Sequence, residues 1–317
     1  MDWQNGKLKL INGTDLENKE IPPTNWAIED FLPEGLTILA GAPKSGKSLL
    51  ALNLALALSA DAEIIGKKSK SAKTVLYLPY EDSEKRLQER IKKIKIGLSI
   101  KNISKIFFLE GCNPPKLDKN VLENIGELIK ESKIDMLIID TLGSAIINNK
   151  NKGLSSYLDE YKLLNMFQRF ALDYKICLLL LHHTRKMEAE NKFDEISGTR
   201  GISGAADANF ILQRNRYNGE LFIQGRDLED AKYELELDKE NLTWHFKGIS
   251  NSIKLSPEQE TILDVFNKDY EKELKPSEIA KTLDKEDTNI RPIIGKLLAL
   301  GLLKQNAYGK YKLVPIN

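Results

Sequence analysis

The chain is poor in cysteine, histidine and unbalanced charge, and each shortage removes a class of function. Of 317 residues only two are cysteine, Cys112 and Cys177, and three are histidine. The cysteines lie too far apart for a metal knuckle, and Cys177 sits in an apolar run. Two buried free thiols are expected, in keeping with a reducing, cytoplasmic setting. With so few histidines, a metal site built on nitrogen and sulfur ligands is not expected. Net charge is almost absent, 47 Lys+Arg against 46 Asp+Glu. This excludes a wholesale nucleic-acid coat protein but leaves room for a local basic surface. Long apolar runs are missing too. The longest, Leu49–Leu58, is broken by Asn53 and falls far short of the roughly 20 residues of a membrane span. Residues 1–10 have no apolar core and no small-residue cleavage site, so no signal peptide is expected. No internal repeat or low-complexity tract stands out. What is there, 41% hydrophobic and 29% charged residues, is a globular mixture long enough for two domains.

From Leu36 to about Phe246, short apolar runs alternate with amphipathic segments. Expected strands are Leu36–Leu39, Thr74–Leu78, Lys105–Leu109, Met136–Ile139, Ile176–Leu181, Ala208–Leu212 and Leu221–Gln224. Expected helices are Lys47–Ser59, Ser83–Ile94, Lys119–Ser132 and Ser155–Tyr174. Continuous apolar strands separated by helices imply an α/β class with a mostly parallel sheet covered on both faces. The later strands follow one another without helices and predict an antiparallel extension at one edge. Residues 1–247 are expected as this domain and Gly248–Lys254, small and aperiodic, as a linker. Residues 255–317 then predict three short helices, Pro257–Asn267, Pro276–Leu283 and Thr288–Leu300, and a terminal hairpin. That is the pattern of a small α+β winged-helix domain.

The strongest motif is Gly41-Ala42-Pro43-Lys44-Ser45-Gly46-Lys47-Ser48, after an apolar strand and at the start of an Ala/Leu-rich helix that continues with Leu49. Its glycines let backbone N–H groups turn inward around phosphates. Lys47 would reach the β/γ-phosphates, and the Ser48 hydroxyl would hold Mg²⁺. The helix start adds partial positive charge. Such a loop needs an acid on a neighbouring strand, and Met136-Leu137-Ile138-Ile139-Asp140 supplies one at a strand's carboxyl end. After the strand Thr74–Leu78 comes Glu81, a candidate for orienting the attacking water. Asp82 would assist it from behind or cap the next helix with Ser83; capping is the alternative for Glu81 as well. The strand Ile176–Leu181 ends in His182-His183-Thr184-Arg185-Lys186, where a polar side chain can report on the γ-phosphate; a satisfied structural histidine is the alternative.

The segments PPTNWAIEDFLPEGLTILAGAPKSGKS, LPYEDSEKRLQERI, LIIDTL, LLLLHHTRK and SGTRGISGAADANFILQR together resemble the RepA-type hexameric helicases of plasmids and related mobile elements, a branch of the RecA-like ATPases. The resemblance spans roughly residues 20 to 246. It implies a RecA-like core, Mg-ATP hydrolysis at the subunit interfaces of a homo-oligomeric ring, and single-stranded DNA in the central channel. By carry-over, Lys47 and Ser48 bind ATP and Mg²⁺, Glu81 activates water, Asp140 serves the metal and His183 senses phosphate. It also implies a cation reaching a neighbour's ATP. Arg226, after the strand Leu221–Gln224, is the candidate, with Arg214 and Arg200 as rivals. The family pattern often has a lysine two residues earlier, where this chain has Gln224. A surface ion pair with Asp227, Glu229 or Asp230 is the alternative for Arg226.

Two polar segments correspond to the channel-facing loops of such rings. Gly143–Gly153 carries Lys150 and Lys152, and the stretch from Arg185 to Arg200 carries Arg185, Lys186, Lys192 and Arg200. Cationic loops suit a phosphate backbone, although Glu188, Glu190, Asp194 and Glu195 dilute the second, and a solvated loop is the alternative. In the winged-helix segment Arg291 and Lys296 occupy the third helix, where a duplex-reading module places its contacts; a protein-docking role is the alternative. The expected function is an ATP-dependent DNA helicase or translocating motor. A recombination or loader ATPase and an ATP-switched DNA-binding regulator are the alternatives.

Overall fold

The structure, a computed structural model, describes residues 10–21, 23–146, 156–183, 204–250, 257–267, 273–299, 302–306 and 309–314. The chain divides into two compact units, Met1–Ser250 and Asn251–Asn317.

The first unit opens with α1 (Gly13–Glu17), capped by the Asn12 side chain, and a short pair, β1 (Trp26–Ile28) and β2 (Leu32–Pro33). Then follow β3 (Gly35–Gly41), α2 (Lys47–Ser59), β4 (Val75–Pro79), α3 (Glu84–Gly97), β5 (Ile106–Phe108), α4 (Lys119–Ser132), β6 (Met136–Asp140), α5 (Leu142–Ala145), α6 (Ser156–Tyr174) and β7 (Cys177–His183). Four strands end it: β8 (Ala208–Asn215), β9 (Asn218–Gly225), β10 (Ala231–Asp238) and β11 (Thr243–Ser250). A nine-stranded sheet runs in the order β11-β10-β9-β8-β3-β7-β6-β4-β5. The pairs from β8 across to β5 are parallel, and β9, β10 and β11 extend the β8 edge antiparallel. This is the α/β core, with antiparallel extension, that the apolar pattern implied.

Period-two alternation splits the apolar strands between two cores. Val75 and Tyr77 of β4, Met136 and Ile138 of β6, and Cys177, Leu179 and Leu181 of β7 face the layer holding α2 and α3. Leu76, Leu78, Leu137, Ile139, Leu178 and Leu180 face the layer holding α4 and α6. Helix α2 is apolar all round and is buried apart from Ser48 and Leu49, as a helix without a polar face must be. Helices α3 and α4 start where side chains satisfy free backbone N–H groups: Ser83 accepts from Arg86 N and Asp118 from Val121 N.

Three expectations need correction. Gly248–Ser250 is not linker, because it continues β11, pairing with Lys232–Glu234. Gly143–Ala145 is not loop but belongs to the helical turn α5. Of the two cysteines only Cys177 is buried; Cys112 is partly exposed.

The second unit contains α7 (Pro257–Asn267), α8 (Pro276–Thr282) and α9 (Asp287–Ala299), then the antiparallel pair β12 (Leu303–Gln305) and β13 (Tyr311–Leu313). Pro276 begins α8 and Glu278 accepts from Lys275 N at 2.7 Å, closing its start. Ile262, Phe266, Ile279, Ile290, Ile294 and Leu297 form this unit's own core.

Candidate active site

The site lies at the carboxyl ends of β3, β4, β6 and β7, where parallel strands deliver side chains to one edge. Residues 41–48 turn from β3 into α2. Gly46, the residue before α2, has φ +100°, a left-handed conformation that favours glycine. Lys47 is buried and its Nζ donates to Gly41 O at 2.8 Å and Ala42 O at 2.9 Å, with His183 Nδ1 at 3.4 Å. Burial draws the Lys47 ammonium down to about 8, against the raising pull of Asp140 and Glu81. The Ser45 hydroxyl is buried with no hydrogen-bond partner among the described residues. A buried donor is costly unless paired, and a phosphate oxygen is the partner the loop is shaped to receive.

Asp140 is 3% exposed. Its Oδ1 accepts from Ser48 Oγ at 3.0 Å and its Oδ2 from Tyr77 OH at 2.7 Å. Burial pushes its carboxyl up to about 6, while the Tyr77 and Ser48 hydrogen bonds pull the other way. A hydroxyl and a carboxylate that meet at one point are hard oxygen donors of the kind Mg²⁺ takes, alongside water and phosphate. A cation there would favour the ionised carboxylate against burial. The donor set therefore fits the metal.

Glu81 stands across from this pair. Its Oε1 accepts from Thr141 Oγ1 at 2.6 Å and Ser144 Oγ at 2.8 Å, with His183 Nε2 at 3.9 Å. Burial alone would raise the Glu81 pKa. The two hydroxyl hydrogen bonds, with His183 and Lys47, outweigh it and leave the group below its ordinary value. His183 is lowered, first by burial and then by Lys47, which favours a neutral imidazole. Asp82 is turned away into ion pairs with Arg86 and Arg90. The structure thus gathers Lys47, Ser48, Glu81, Asp140 and His183 around one edge. Thr141, Ser144 and Tyr77 join them without having been expected. The hydroxyl right after Asp140 was visible in sequence, but its partner sits 60 positions away.

Arginine placement separates the rivals. Asp207 N donates to Leu36 O and Asp207 Oδ2 accepts from Leu36 N, so Asp207 marks the amino end of β3. Arg226 is anchored there: its backbone N donates to Asp207 O, its Nη1 lies 3.3 Å from Asp207 Oδ1, and its Nη2 donates to Gly204 O. The ion pair that was the alternative for Arg226 is thus present, but with Asp207 in place of Asp227, Glu229 or Asp230, because strand register brings Asp207 to the β9 end. Arg226 therefore sits at the sheet end opposite its own phosphate loop. Arg214, at the far end of β8, has Nη1 3.6 Å from where a Cβ on Gly46 would lie. It belongs beside the loop of its own chain.

Of the expected DNA contacts, Lys150, Lys152, Arg185, Lys186 and Arg200 lie outside the described residues. Arg291 and Lys296 are both exposed on α9, but the Arg291 guanidinium is shared with Asp287 at 2.6 and 3.0 Å. No helix among the described residues is long and apolar enough to cross a membrane.

Comparison with known proteins identifies the family through its sequence model. No curated protein matches the chain significantly. Among solved structures, a KaiC-like protein, PH0186, from Pyrococcus horikoshii OT3 is similar at 16% identity and TM-score 0.44, covering 70% of this chain and 94% of that one. The RadB recombinase is similar at 13% identity and TM-score 0.49, covering 68% and 91%. A family model described as an AAA domain matches residues 7–189, more than half of the chain and the whole stretch from the phosphate loop through Asp140 to His183. With that stretch folded into a P-loop ATPase site, the chain belongs to the AAA domain family.

Proposed function

We propose that the protein is a DNA-translocating ATPase, a helicase of the RepA type, that hydrolyses Mg-ATP at interfaces between identical subunits. The observation that carries the reading is the separation of Arg226 from its own phosphate loop. A guanidinium at the opposite end of the sheet cannot serve its own ATP, whereas in an assembly it has a neighbour's to reach. A charge supplied in trans stabilises the phosphoryl-transfer transition state only when subunits meet.

Within a subunit the roles divide by geometry. Lys47 and the loop amides hold the phosphates. Ser48 and Asp140 would hold Mg²⁺, which neutralises charge on the β- and γ-phosphates when bound. Glu81, kept ionised by Thr141 and Ser144, accepts the proton of the attacking water. His183, within reach of both Lys47 and Glu81, links the phosphate position to the end of β7. Lys150, Lys152, Arg185, Lys186 and Arg200 are the proposed single-stranded DNA contacts. The second unit, read as a winged helix, is the proposed duplex contact through Lys296 and Arg291, the latter after release from Asp287.

The test measures ATP turnover with and without oligo-dT, then strand displacement on a forked duplex, for the wild type and Glu81→Gln. The expected result is DNA-stimulated turnover with unwinding. Glu81→Gln should bind ATP normally and turn over at least about 100-fold more slowly, since general-base catalysis contributes on that order. Stimulated turnover without displacement would favour a recombination or loader ATPase. Tight binding to one duplex sequence with negligible turnover would favour a regulator.

A further inference from the structure

The apolar run of α2 is broken once, by Asn53, and the break has a purpose. Asn53 is fully buried. Its Oδ1 accepts from Trp244 N at 2.9 Å, and its Nδ2 donates to Leu242 O at 3.0 Å and to Leu49 O at 2.8 Å. A buried amide satisfied on both sides by another segment's backbone fixes the register of that segment. Here it pins β11 against α2. Trp244, 1% exposed, then lies between two glycines. A Cβ on Gly219 would come within 2.6 Å of its Cζ3, and a Cβ on Gly46 within 2.8 Å of its Cζ2. Its Nε1 donates to Gly46 O at 3.4 Å. The back of the left-handed turn that aims Lys47 and Ser48 thus rests on the Nε1–Cζ2 edge of the indole.

We propose that Trp244, held by Asn53, is a positioning residue for the phosphate loop, so that the outermost antiparallel strand of the sheet sets nucleotide affinity. The inference rests on reading residues 41–48 as the nucleotide site. A loop that must spend part of its time out of its binding shape has its affinity reduced by that fraction. The indole closes off the alternative shapes of Gly46 from one side. No group on Trp244 faces the reacting atoms, so its loss should weaken binding of substrate and transition state alike. That raises KM for ATP and leaves kcat in place.

The test uses the full chain. In the double variant Trp3→Phe, Trp26→Phe, Trp244 is the only tryptophan. Its emission should change on MgADP addition along the same isotherm that equilibrium dialysis gives for ADP. Trp244→Phe keeps a ring but loses the indole donor. Gly219→Ala pushes a methyl group into the ring from the side away from the loop. Each should raise KM for ATP about three- to ten-fold, the range of one modest hydrogen bond or packing contact, with kcat within about two-fold. Ile129→Val, on the opposite face of the sheet, should lower Tm slightly and leave KM alone. Flat Trp244 emission through saturation, with unchanged KM in both variants, overturns the inference. So does a KM rise in Ile129→Val equal to theirs, which would show general loosening. If dialysis detects no nucleotide binding, the nucleotide-site reading itself falls first.

Discussion

Removing the hydroxyl of Thr141 should slow turnover without weakening ATP binding. Glu81 Oε1 accepts two hydroxyl hydrogen bonds, from Thr141 at 2.6 Å and Ser144 at 2.8 Å. Thr141 is 1% exposed, whereas Ser144 is partly open to solvent. A hydrogen bond to a charged group is worth about 1.5–3 kcal/mol when sheltered, and an ordinary one about 1 kcal/mol. Taking the sheltered range for Thr141, loss of the geometry it imposes lowers kcat by about 10- to 100-fold in Thr141→Val. Ser144→Ala should cost about three- to five-fold on the smaller figure. Both donors share one oxygen, so the double variant should fall short of the product. The pH profile gives a second readout. Glu81 acts as a base only when ionised, and its donors hold its pKa below the ordinary value, so activity in the wild type is lost only as pH falls through that low value. Without the donors the acid limb of kcat must move to higher pH. The assay is steady-state ATP hydrolysis from acid to neutral pH with saturating oligo-dT. Wild-type kcat and an unmoved acid limb in Thr141→Val would refute the argument, and with it the claim that Glu81 is held in place by these hydroxyls.

Mixing Arg226→Ala with Lys47→Ala subunits, each at least about 100-fold impaired alone, should restore part of the activity, because mixed assemblies juxtapose an intact loop with an intact arginine; normal DNA-stimulated turnover in Arg226→Ala alone would rule the trans role out. Ending the chain at Ser250 should leave a cooperatively unfolding, ATP-hydrolysing unit, since that unit holds two cores of its own, while duplex binding measured by anisotropy is lost. Native protein should expose one thiol per chain to a disulfide reagent at pH 8 and two after unfolding. Burial pushes Cys177 up to about 12, so it stays a protonated, inaccessible thiol, whereas Cys112 is raised less and is partly exposed.

The parallel core was legible because its strands are buried on both faces and read as unbroken apolar runs. Leu36–Leu39, Met136–Ile139 and Ile176–Leu181 needed no partner to be recognised. β10 and β11 were harder for the opposite reason. Tyr233, Leu235 and Leu237 alternate strictly with Glu234, Glu236 and Asp238, a half-exposed antiparallel pattern dense enough in charge to pass for a surface segment. β11 carries small residues, Gly248 and Ser250, to its end, and only pairing with β10 distinguishes them from a linker.

The site divides along the same line. Lys47, Ser48 and Asp140 belong to motifs whose neighbours in sequence are also their neighbours in space. The residues that hold them do not. Thr141 meets Glu81 across 60 positions, Tyr77 meets Asp140 across 63 and Asn53 meets Trp244 across 191. Arg226 shows the same effect in reverse. Three acids lie within four residues of it, yet it pairs with Asp207, because β8 and β9 run antiparallel and bring Ala208 opposite Gly225. Sequence distance predicts contact within a helix turn or a hairpin tip, and fails for groups whose proximity is a product of strand order. A phosphate loop can therefore be read from eight letters, while the apparatus that shapes it becomes visible only when the sheet is assembled.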